Sequence, residues 1–455
     1  MSNKSKKSSI GILASFGLMI AISLYVYNSS MFEREVPKIT FENNGYWNLK
    51  TPLDVSMEDS SGIKSYKVVF KSKNGTVSLN NEQFINAKDS IDVKIVPPRS
   101  SYAIKNEDIT IIIEALDASK WNFFKGNRVT KEFHLKIDKQ RPKLSVVNNT
   151  YKITKGGSAL VIFKATDDNL KDIYIETDFK KQFQAEPFYK ADYYIALLAW
   201  PVTQSNFKAT IVVTDKAGNS SKSYIPLYLK EKEYRVSNIN ISDRFLKGKI
   251  AELSEDFDET QGVDNPIKQF KLINEDVRAK NEALIHKITS RVPSEMISNF
   301  KVNKMYPLKN AKVVAHFGDH RKYTYKGKKL SESYHLGLDL ASNAQAKIKP
   351  KNGGNVVFAD FNGLYGNMPI ISHGLGLYTL YGHCSSLLVA NGDKVSPNQL
   401  IANTGKTGYA MGDHLHFGVL VQGVEVRPQE WMDTKWIQLN IYDVINSAKK
   451  TIDKS

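Results

Sequence analysis

Seven of the nine histidines lie in the last third of the chain, several of them at spacings that suit metal binding. They are His316, His320, His335, His373, His383, His414 and His416. Three local patterns stand out among them: His335-Leu-Gly-Leu-Asp339, Tyr381-Gly-His383 and His414-Leu-His416. Imidazoles with a carboxylate are the usual ligands of zinc in proteins. The patterns therefore predict a metal centre of the kind that metallohydrolases use.

The pattern around His335 predicts a β-strand with two ligands on one face. Three leucines alternate with His335, Gly337 and Asp339, so the leucines share one face of the strand and the other three residues share the opposite face. Gly337 leaves room for an ion. The same alternation places His414 and His416 on one face of a second strand. One aspartate and two imidazoles suit Zn²⁺ and leave a fourth position open, which distinguishes a catalytic zinc site from a structural one.

The remaining histidines carry weaker signals. Spacing alone leaves His383 as either a fourth ligand or an acid–base group. We interpret His316 and His320 as structural or substrate-cleft residues, and we expect His373 to support a turn. Cys384, the single cysteine, excludes an intramolecular disulfide and makes a cysteine peptidase with His383 a rival. Adjacent residues on a strand point to opposite faces, which argues against that pair.

The C-terminal third resembles a known family of enzymes. The segment from about His335 to Pro428 is similar to the lysostaphin-type (LytM-like) zinc metallopeptidases that cut peptidoglycan cross-links. The family motif H-x-G-x-D matches residues 335–339. The motif H-G-x-G-x-x-T-x-Y-x-H matches residues 373–383, and T-G-x-x-x-G-x-H-L-H-F matches residues 407–417.

The resemblance implies a role for each site residue. His335, Asp339 and His416 would hold Zn²⁺, and His383 and His414 would be the catalytic pair, with the general base left open between them. It also implies a small antiparallel β-rich domain with a narrow groove. The predicted function is a zinc-dependent endopeptidase that hydrolyses peptide cross-links in peptidoglycan during cell-wall remodelling.

Two alternatives remain at this point. A non-catalytic relative would bind the wall or activate an amidase, but the complete ligand set favours the enzyme. The second alternative is a zinc-dependent protease of proteins, such as one that cuts glycine-rich proteins. The chain departs from the family at Asp413, where Pro is common, and in a long basic stretch, 319–333. We expect Asp413 to orient His414 or tune its pKa, and the stretch to alter the rim of the groove.

The N-terminus predicts how this domain is delivered. Lys4, Lys6 and Lys7 precede an apolar run from Ile10 to Tyr27, about the minimum length that spans a bilayer. The positive flank predicts a cytoplasmic N-terminus and export of the rest. A cleaved signal peptide is the alternative. We expect a single-pass anchor (residues 1–30) in the inner (cytoplasmic) membrane, with the bulk of the chain in the periplasm or cell envelope.

Two immunoglobulin-like β-sandwiches are predicted to follow, at 36–140 and 141–231. Alternating apolar residues indicate strands at Ile63–Phe70, Ile109–Ala115, Ile173–Glu176 and Tyr224–Leu229. A faint internal repeat, offset by roughly a hundred residues, supports the pair of modules. In it, the segment at Asp59 matches the segment at Asp167, and the segment at Asp117 matches the segment at Asp215.

A helical linker is predicted at 242–293, as a spacer, brace or lid. Ser242-Asp243 and Asn265-Pro266 are start signals, and Pro293 ends the second helix. One apolar face comprises Ile267, Phe270, Ile273, Val277, Leu284 and Ile288. Strands return over 301–434, the predicted metallopeptidase domain, and a helix at 437–452 closes the chain. The predicted fold class is mainly β with a helical linker.

The formal charge of +16 favours anionic partners such as nucleic acid, anionic lipid or wall polymers, although solubility alone would also explain it. The chain contains no zinc-finger, RNA-binding or helix-turn-helix pattern, so nucleic acid is not expected. The expected partners are peptidoglycan and, through the N-terminal helix, the inner membrane.

Overall fold

The computed structural model describes residues 3–99, 108–292 and 296–454, with side chains from residue 11 onward. Contacts divide the chain into two compact units. The first comprises Met1–Pro142, Asp167–Lys171 and Thr214–Ser220, and the second comprises Lys143–Thr166, Asp172–Val213 and Ser221–Ser455. Strands dominate both units, which confirms the predicted mainly β class.

The first unit begins with one long helix, Asn3–Asn28. Its stretch Gly11–Asn28 has a mean hydropathy of 1.6 over 18 residues, and none of that stretch is buried. A helix of this length and composition suits either a bilayer or an exported leader sequence. The apolar N-terminal helix predicted from the sequence is therefore present.

The strands of the first unit are hydrogen-bonded into one six-stranded sheet. They are β1 (Lys38–Phe41), β2 (Tyr46–Trp47), β3 (Leu53–Ser72), β4 (Gly75–Ile95), β5 (Asp108–Asp117) and β6 (Arg128–Ile137). Their order is β1-β3-β5-β6-β2, with β4 paired along β3. The first half of β3 pairs with β1 and the second half with β5, with register shifts between Glu58 and Ser65. Because β3 changes partners at these shifts, the first predicted sandwich has one continuous sheet where a two-sheet arrangement was expected.

The second predicted sandwich does have two four-stranded sheets. Its strands are β7 (Lys143–Asn149), β8 (Lys152–Thr154), β9 (Ser158–Thr166), β10 (Leu170–Thr177), β11 (Gln182–Gln184), β12 (Glu186–Pro187), β13 (Tyr193–Ala199), β14 (Ala209–Asp215), β15 (Ser220–Tyr224) and β16 (Tyr228–Lys230). One sheet has the order β11-β10-β14-β15 and the other β12-β13-β9-β7, while β8 and β16 pair with each other in a separate two-stranded sheet. The predicted strand at 224–229 is interrupted between β15 and β16, because Pro226 has no N–H to donate to a sheet.

Both predicted helix starts in the linker are confirmed. Ser242 Oγ accepts a hydrogen bond from the Phe245 N–H, and Asn265 Oδ1 accepts from the N–H groups of Ile267 and Lys268. The helical segments are Asp243–Phe245, the π-helical Leu246–Ile250, Ala251–Glu255, Pro266–Leu272, the π-helical Ile273–Val277 and Arg278–Thr289, with a 3-10 turn at Asp258–Thr260. Pro293 lies outside the described residues.

The predicted apolar face of the second helix is wrong at one position. Leu284 is 38% exposed, whereas its neighbour Ile285 is fully buried. The π-helical turn Ile273–Val277 explains the shift, because it inserts one extra residue and rotates every later side chain around the helix. The prediction from the sequence rests on an uninterrupted helical period of 3.6 residues per turn.

The C-terminal domain is built on an eight-stranded sheet. Its strands are β18 (Lys312–Ala315), β21 (Leu338–Ala341), β23 (Gly354–Phe361), β24 (Asn367–Ser372), β25 (Leu377–Gly382), β27 (Lys394–Val395), β29 (Leu415–Val421) and β30 (Val424–Val426). Their order is β18-β21-β29-β25-β24-β23-β27, with β30 paired to β29. Every residue of the central strands β25 and β29 is buried. The middle of this sheet is therefore a rigid support.

Two small sheets and a C-terminal helical run complete the domain. The first sheet joins β17 (Val236–Asn240), β19 (His320–Tyr325) and β20 (Lys328–Tyr334); the second joins β22 (Lys347–Ile348), β28 (Ala402–Asn403) and β26 (Ser386–Leu387). The helices are Pro428–Trp431, Thr434–Ile437, the π-helical Gln438–Tyr442 and Asp443–Lys454.

A buried carboxyl in the second unit leads to a prediction about stability. Glu430 accepts a hydrogen bond from the Ser158 N–H, and burial raises its pKa to about 7 despite the nearby Arg427. Folding therefore favours the protonated carboxyl, so the free energy of unfolding falls as pH rises from 4.5 to about 7. At about 1.4 kcal/mol per unit of pKa, this loss is about 3 kcal/mol.

We expect Glu430→Gln to remove that loss. The thermal midpoint of the variant, measured relative to the unmodified chain from pH 4.5 to pH 8, should rise with pH up to about 7 and then level off. Glu231→Gln, which alters an exposed carboxyl of the same unit, is the control and should track the unmodified chain. A constant offset between Glu430→Gln and the unmodified chain across this pH range would contradict the prediction.

Candidate metal centre

Three neighbouring strands bring the predicted site residues together. Strands β21, β29 and β25 are adjacent in the sheet, with Asp339 paired opposite His416 and Gly382 also opposite His416. His383 directly follows β25. Adjacent strands lie about 4.8 Å apart, so this register puts the side chains of all three elements within reach of one point.

Three ligand atoms form a small triangle. His335 Nε2 lies 3.0 Å from Asp339 Oδ1 and 3.1 Å from His416 Nδ1, and the third edge, His416 Nδ1 to Asp339 Oδ1, is 2.9 Å. All three residues are buried. A Cβ atom at Gly337 would overlap the imidazole of His416, so a glycine is required beside this ligand.

The triangle fits a zinc ion. Tetrahedral zinc with bonds of about 2.0–2.1 Å places neighbouring ligand atoms roughly 3.3 Å apart. His335 Nδ1 donates a hydrogen bond to the carbonyl oxygen of His316 at 2.9 Å, so His335 Nε2 presents its lone pair to the centre of the site. Two nitrogens and one carboxylate are a donor set that zinc prefers. His316 thus acts on the site through its backbone, a role that no side-chain pattern in the sequence reveals.

The electrostatics of the site favour an ionised aspartate. Burial opposes ionisation of Asp339, but the charges and hydrogen bonds of His335 and His416 outweigh it and hold the pKa of Asp339 well below its usual range. Burial lowers the pKa of His416, which favours the neutral imidazole that a metal requires. These shifts favour the ionised Asp339 and the neutral His416, the forms in which the two side chains can act as ligands.

His383 and His414 stand beside the triangle as a pair, with ring centroids 4.8 Å apart. His383 Nδ1 donates to the Thr407 carbonyl oxygen at 2.9 Å, and His414 Nδ1 donates to the Gly412 carbonyl oxygen at 2.8 Å. In both neutral rings Nε2 is therefore the unprotonated nitrogen. Burial, reinforced by the neighbouring His416 and His414, lowers the pKa of His383 to about 3.

The backbone at His383 is unusual for its residue type. Its φ of 65° lies in the left-handed region, which costs a non-glycine residue of order 1–3 kcal/mol unless its surroundings hold it there. Hydrogen bonds from the His383 N–H to the Tyr365 carbonyl and from its ring to Thr407 do so. The chain turns here at the end of β25, directly beside the ligand triangle.

A cavity of about 220 Å³ contains the site. Besides the five predicted residues, its wall comprises Arg278, Arg321, Tyr334, Leu336, Leu364, Tyr365, Tyr409 and Met411. Arg278 belongs to the helical linker, and Arg321 and Tyr334 belong to the hairpin that the basic stretch 319–333 forms. That stretch thus contributes Arg321 to the cavity wall, and the linker contributes a second cationic side chain, Arg278.

The predicted strand at His335 begins later than expected. β21 starts at Leu338, and Leu336 lines the cavity beside His335 although it was predicted to lie on the opposite face. Hydrogen bonds from the His335 N–H to the Asp319 carbonyl and from the Gly318 N–H to the His335 carbonyl hold this stretch outside the strand. Leu338 and Leu340 are buried as predicted.

Other candidate residues lie outside the cavity wall in the part of the chain that the structure describes. His373 Nδ1 donates to the Gly353 carbonyl at 2.8 Å, and the His320 ring stacks on Tyr334. Burial raises the pKa of the Cys384 thiol to about 12, which is unsuited to a nucleophile because the reactive form is the thiolate. The cysteine peptidase alternative therefore has no physical support.

The expectation for Asp413 is wrong. Its carboxylate accepts hydrogen bonds from Thr404 Oγ1 at 2.5 Å and from the Gln345 N–H at 3.0 Å. These contacts tie together two loops of the small sheet that contains β22 and β28. The carboxylate is thus engaged with a neighbouring loop, and the partner of the His414 ring is the Gly412 carbonyl.

Comparisons with known proteins agree with this architecture. Residues 333–428 match the model of peptidase family M23, so the C-terminal domain is an M23 domain. The DD-carboxypeptidase/endopeptidase Mpg of Neisseria meningitidis is 34% identical over 94 residues, which are 21% of this chain and 22% of Mpg. The murein hydrolase activator EnvC of Escherichia coli is 33% identical over 96 residues, 21% of this chain and 23% of EnvC.

A solved structure gives a similar match. The catalytic domain of the antimicrobial peptidase lysostaphin from Staphylococcus simulans has a TM-score of 0.23 and 27% identity; the match covers 27% of this chain and 92% of that domain. The chain spans less than a quarter of the length of the two curated relatives described above.

Proposed function

We propose that this chain is a zinc-dependent endopeptidase that hydrolyses peptide cross-links in peptidoglycan. The observation that carries the proposal is the ligand triangle of His335, Asp339 and His416, with the imidazoles of His383 and His414 in the same cavity. The first three residues would hold the ion. Zinc, when bound, supplies Lewis-acid chemistry: it polarises a carbonyl group and makes a water molecule more acidic.

The histidine pair supplies the proton transfers. His383 and His414 each expose an unprotonated Nε2 while Nδ1 is fixed on a backbone carbonyl. One of them accepts a proton on Nε2 from the attacking water and then gives that proton to the leaving amine. The other stabilises the oxyanion in the form in which its own Nε2 is also protonated. The carbonyl groups of Thr407 and Gly412, in the segment between β28 and β29, orient the two rings.

Incubation of the chain with purified sacculi, with and without a zinc chelator, tests the function. We expect mass spectrometry to detect released muropeptides cut at a peptide bond, and the chelator to stop the release until zinc is restored. Intact sacculi would overturn the proposal. If such a chain increased cleavage by an added amidase, it would instead be the non-catalytic relative that the similarity to EnvC suggests.

We further propose that the helix Asn3–Asn28 anchors the chain in the inner membrane, with the remainder in the periplasm or cell envelope. The apolar stretch Gly11–Asn28 and the net charge of +16, suited to anionic wall polymers, support this arrangement. We expect the chain in the membrane fraction after an alkaline wash, and deletion of residues 1–30 to release it. Recovery of the full-length chain in the soluble fraction would contradict the anchor.

A further inference from the structure

Three aspartates that the proposed peptidase chemistry does not use meet in the first unit. Asp138 directly follows β6, Asp167 directly follows β9, and Asp215 is the last residue of β14. One carboxylate oxygen from each lies within 4.8 Å of the other two. The segment that follows β6 thus lies beside the loops that follow β9 and β14, which are distant from it in sequence.

A buried amide points to a ligand at this cluster. Asn219 is only 3% exposed, and its Nδ2 donates to Asp215 Oδ2 at 2.8 Å and to the Asp138 carbonyl oxygen at 3.0 Å. Both partners are acceptors, so the orientation of the amide is fixed. Among the described residues, Oδ1 of Asn219 has no hydrogen-bond partner. A buried polar atom left unsatisfied costs about 1–3 kcal/mol, which a cation at the cluster would offset.

The same arrangement occurs a second time in the first unit. Asp59 and Asp117, with Glu33, form another group whose carboxylate oxygens lie within 4.8 Å of one another. Asn127 Nδ2 donates to Asp117 Oδ2 at 2.8 Å and to the Glu33 carbonyl at 3.0 Å, as Asn219 does to Asp215 and Asp138. Each copy of the internal repeat therefore contributes two aspartates to an acidic cluster, and the third carboxylate comes from the stretch that precedes that copy.

Burial, and after it the crowding of the carboxylates, raises the pKa of one aspartate in each cluster. The pKa of Asp59 is raised to about 6, chiefly by burial and then by the charges of Asp117 and Glu33. The pKa of Asp167 is raised by burial and then by Asp138 and Asp215. A cation at such a cluster replaces repulsion between carboxylates with attraction.

We propose that Asp138, Asp167, Asp215 and Asn219 bind a calcium ion. All the atoms that could coordinate a metal at the cluster are oxygens, so the site does not favour the softer metals that imidazole or thiolate sites select. Carboxylates with an amide carbonyl are typical Ca²⁺ ligands, and Ca²⁺ tolerates the irregular geometry of loop sites better than Mg²⁺ does. The ion would tie the segment after β6 to the loops that carry Asp167 and Asp215.

Calcium titration of the full-length, zinc-loaded chain in calcium-free buffer tests this site by calorimetry. We expect Ca²⁺ to bind, and Asp167→Asn to lose one equivalent or at least tenfold in affinity. Asparagine at 167 can still accept the hydrogen bond that Asp167 Oδ1 accepts from the Asn169 N–H, so the loop should keep its shape. Asp168→Asn, which removes the same charge from an exposed neighbour, is the matched control and should bind like the unmodified chain.

The thermal midpoint gives a second measurement that does not depend on heats of binding. Calcium should raise it in the unmodified chain and in Asp168→Asn more than in Asp167→Asn, because a ligand that binds only the folded state stabilises it. Absence of calcium binding by the folded, unmodified chain would overturn the proposal. Equal binding by the Asp167→Asn and Asp168→Asn variants would overturn it as well.

Discussion

Replacing His416 by alanine should strip zinc from the C-terminal domain and abolish cleavage of peptidoglycan. The substitution leaves only His335 and Asp339 of the triangle, whose edges now measure 2.9–3.1 Å. Loss of a mere outer hydrogen-bond partner of a ligand costs roughly 10–100-fold in metal affinity, so loss of a direct ligand should cost more. Zinc content by atomic absorption and muropeptide release should fall together.

The control for this variant is His320→Ala. His320 stacks on Tyr334 at the edge of the same domain, and the described cavity wall does not include it. Its removal tests the loss of an imidazole without the loss of a ligand, and we expect zinc content and cleavage close to those of the unmodified chain. A His416→Ala chain that still cut sacculi in a zinc-dependent manner would refute the ligand assignment.

The five site residues predicted from the sequence line one cavity, whereas the backbone around them differs from the prediction. Alternation alone placed His414 and His416 on one face, with Leu415 and Phe417 buried behind them, and the structure confirms that placement. β29 is central in its sheet, so both of its faces are constrained and the two-residue period is kept. The strand of His335 begins late because its hydrogen-bond partners lie at Gly318 and Asp319, a pairing that no local pattern reveals.

Features that depend on distant parts of the chain could not be predicted. The π-helical turn at Ile273–Val277 displaced the apolar face from Leu284 to Ile285, although each residue fits a regular helix by type. The orientation of His335 by the His316 carbonyl involves a backbone atom and is therefore independent of side-chain identity. The contribution of Arg278 to the cavity wall required knowing where the linker packs.

The acidic clusters were predicted in part, because the sequence showed that their aspartates recur but not why. The internal repeat aligned Asp59 with Asp167 and Asp117 with Asp215, but it gave no reason for their recurrence. The structure supplies one, because in each module the matched aspartates meet a third carboxylate and an asparagine. A repeat in sequence thus indicated an arrangement in space before its chemistry was known.

Replacing His414 by alanine should lower turnover by about 10²–10⁴-fold, the usual contribution of a general acid or base, and leave zinc in place. His414 Nε2 lies 3.6 Å from Asp339 Oδ2, outside the ligand triangle, and its Nδ1 donates a hydrogen bond to the Gly412 carbonyl oxygen. We expect KM to change little, because the lost interaction acts on the transferred proton. Steady-state kinetics on a cross-linked muropeptide, with zinc content measured on the same sample, checks this.

The double variant His383→Ala/His414→Ala shows whether the two imidazoles work as a unit. Their ring centroids are 4.8 Å apart, so they can act on the same reacting group. The effects of replacing residues that act together do not add, so the turnover of the double variant should be little lower than that of the slower single variant. Loss of zinc from His414→Ala would make His414 a ligand, and unchanged turnover would remove it from the catalytic pair. Either result would leave His383 as the proton acceptor.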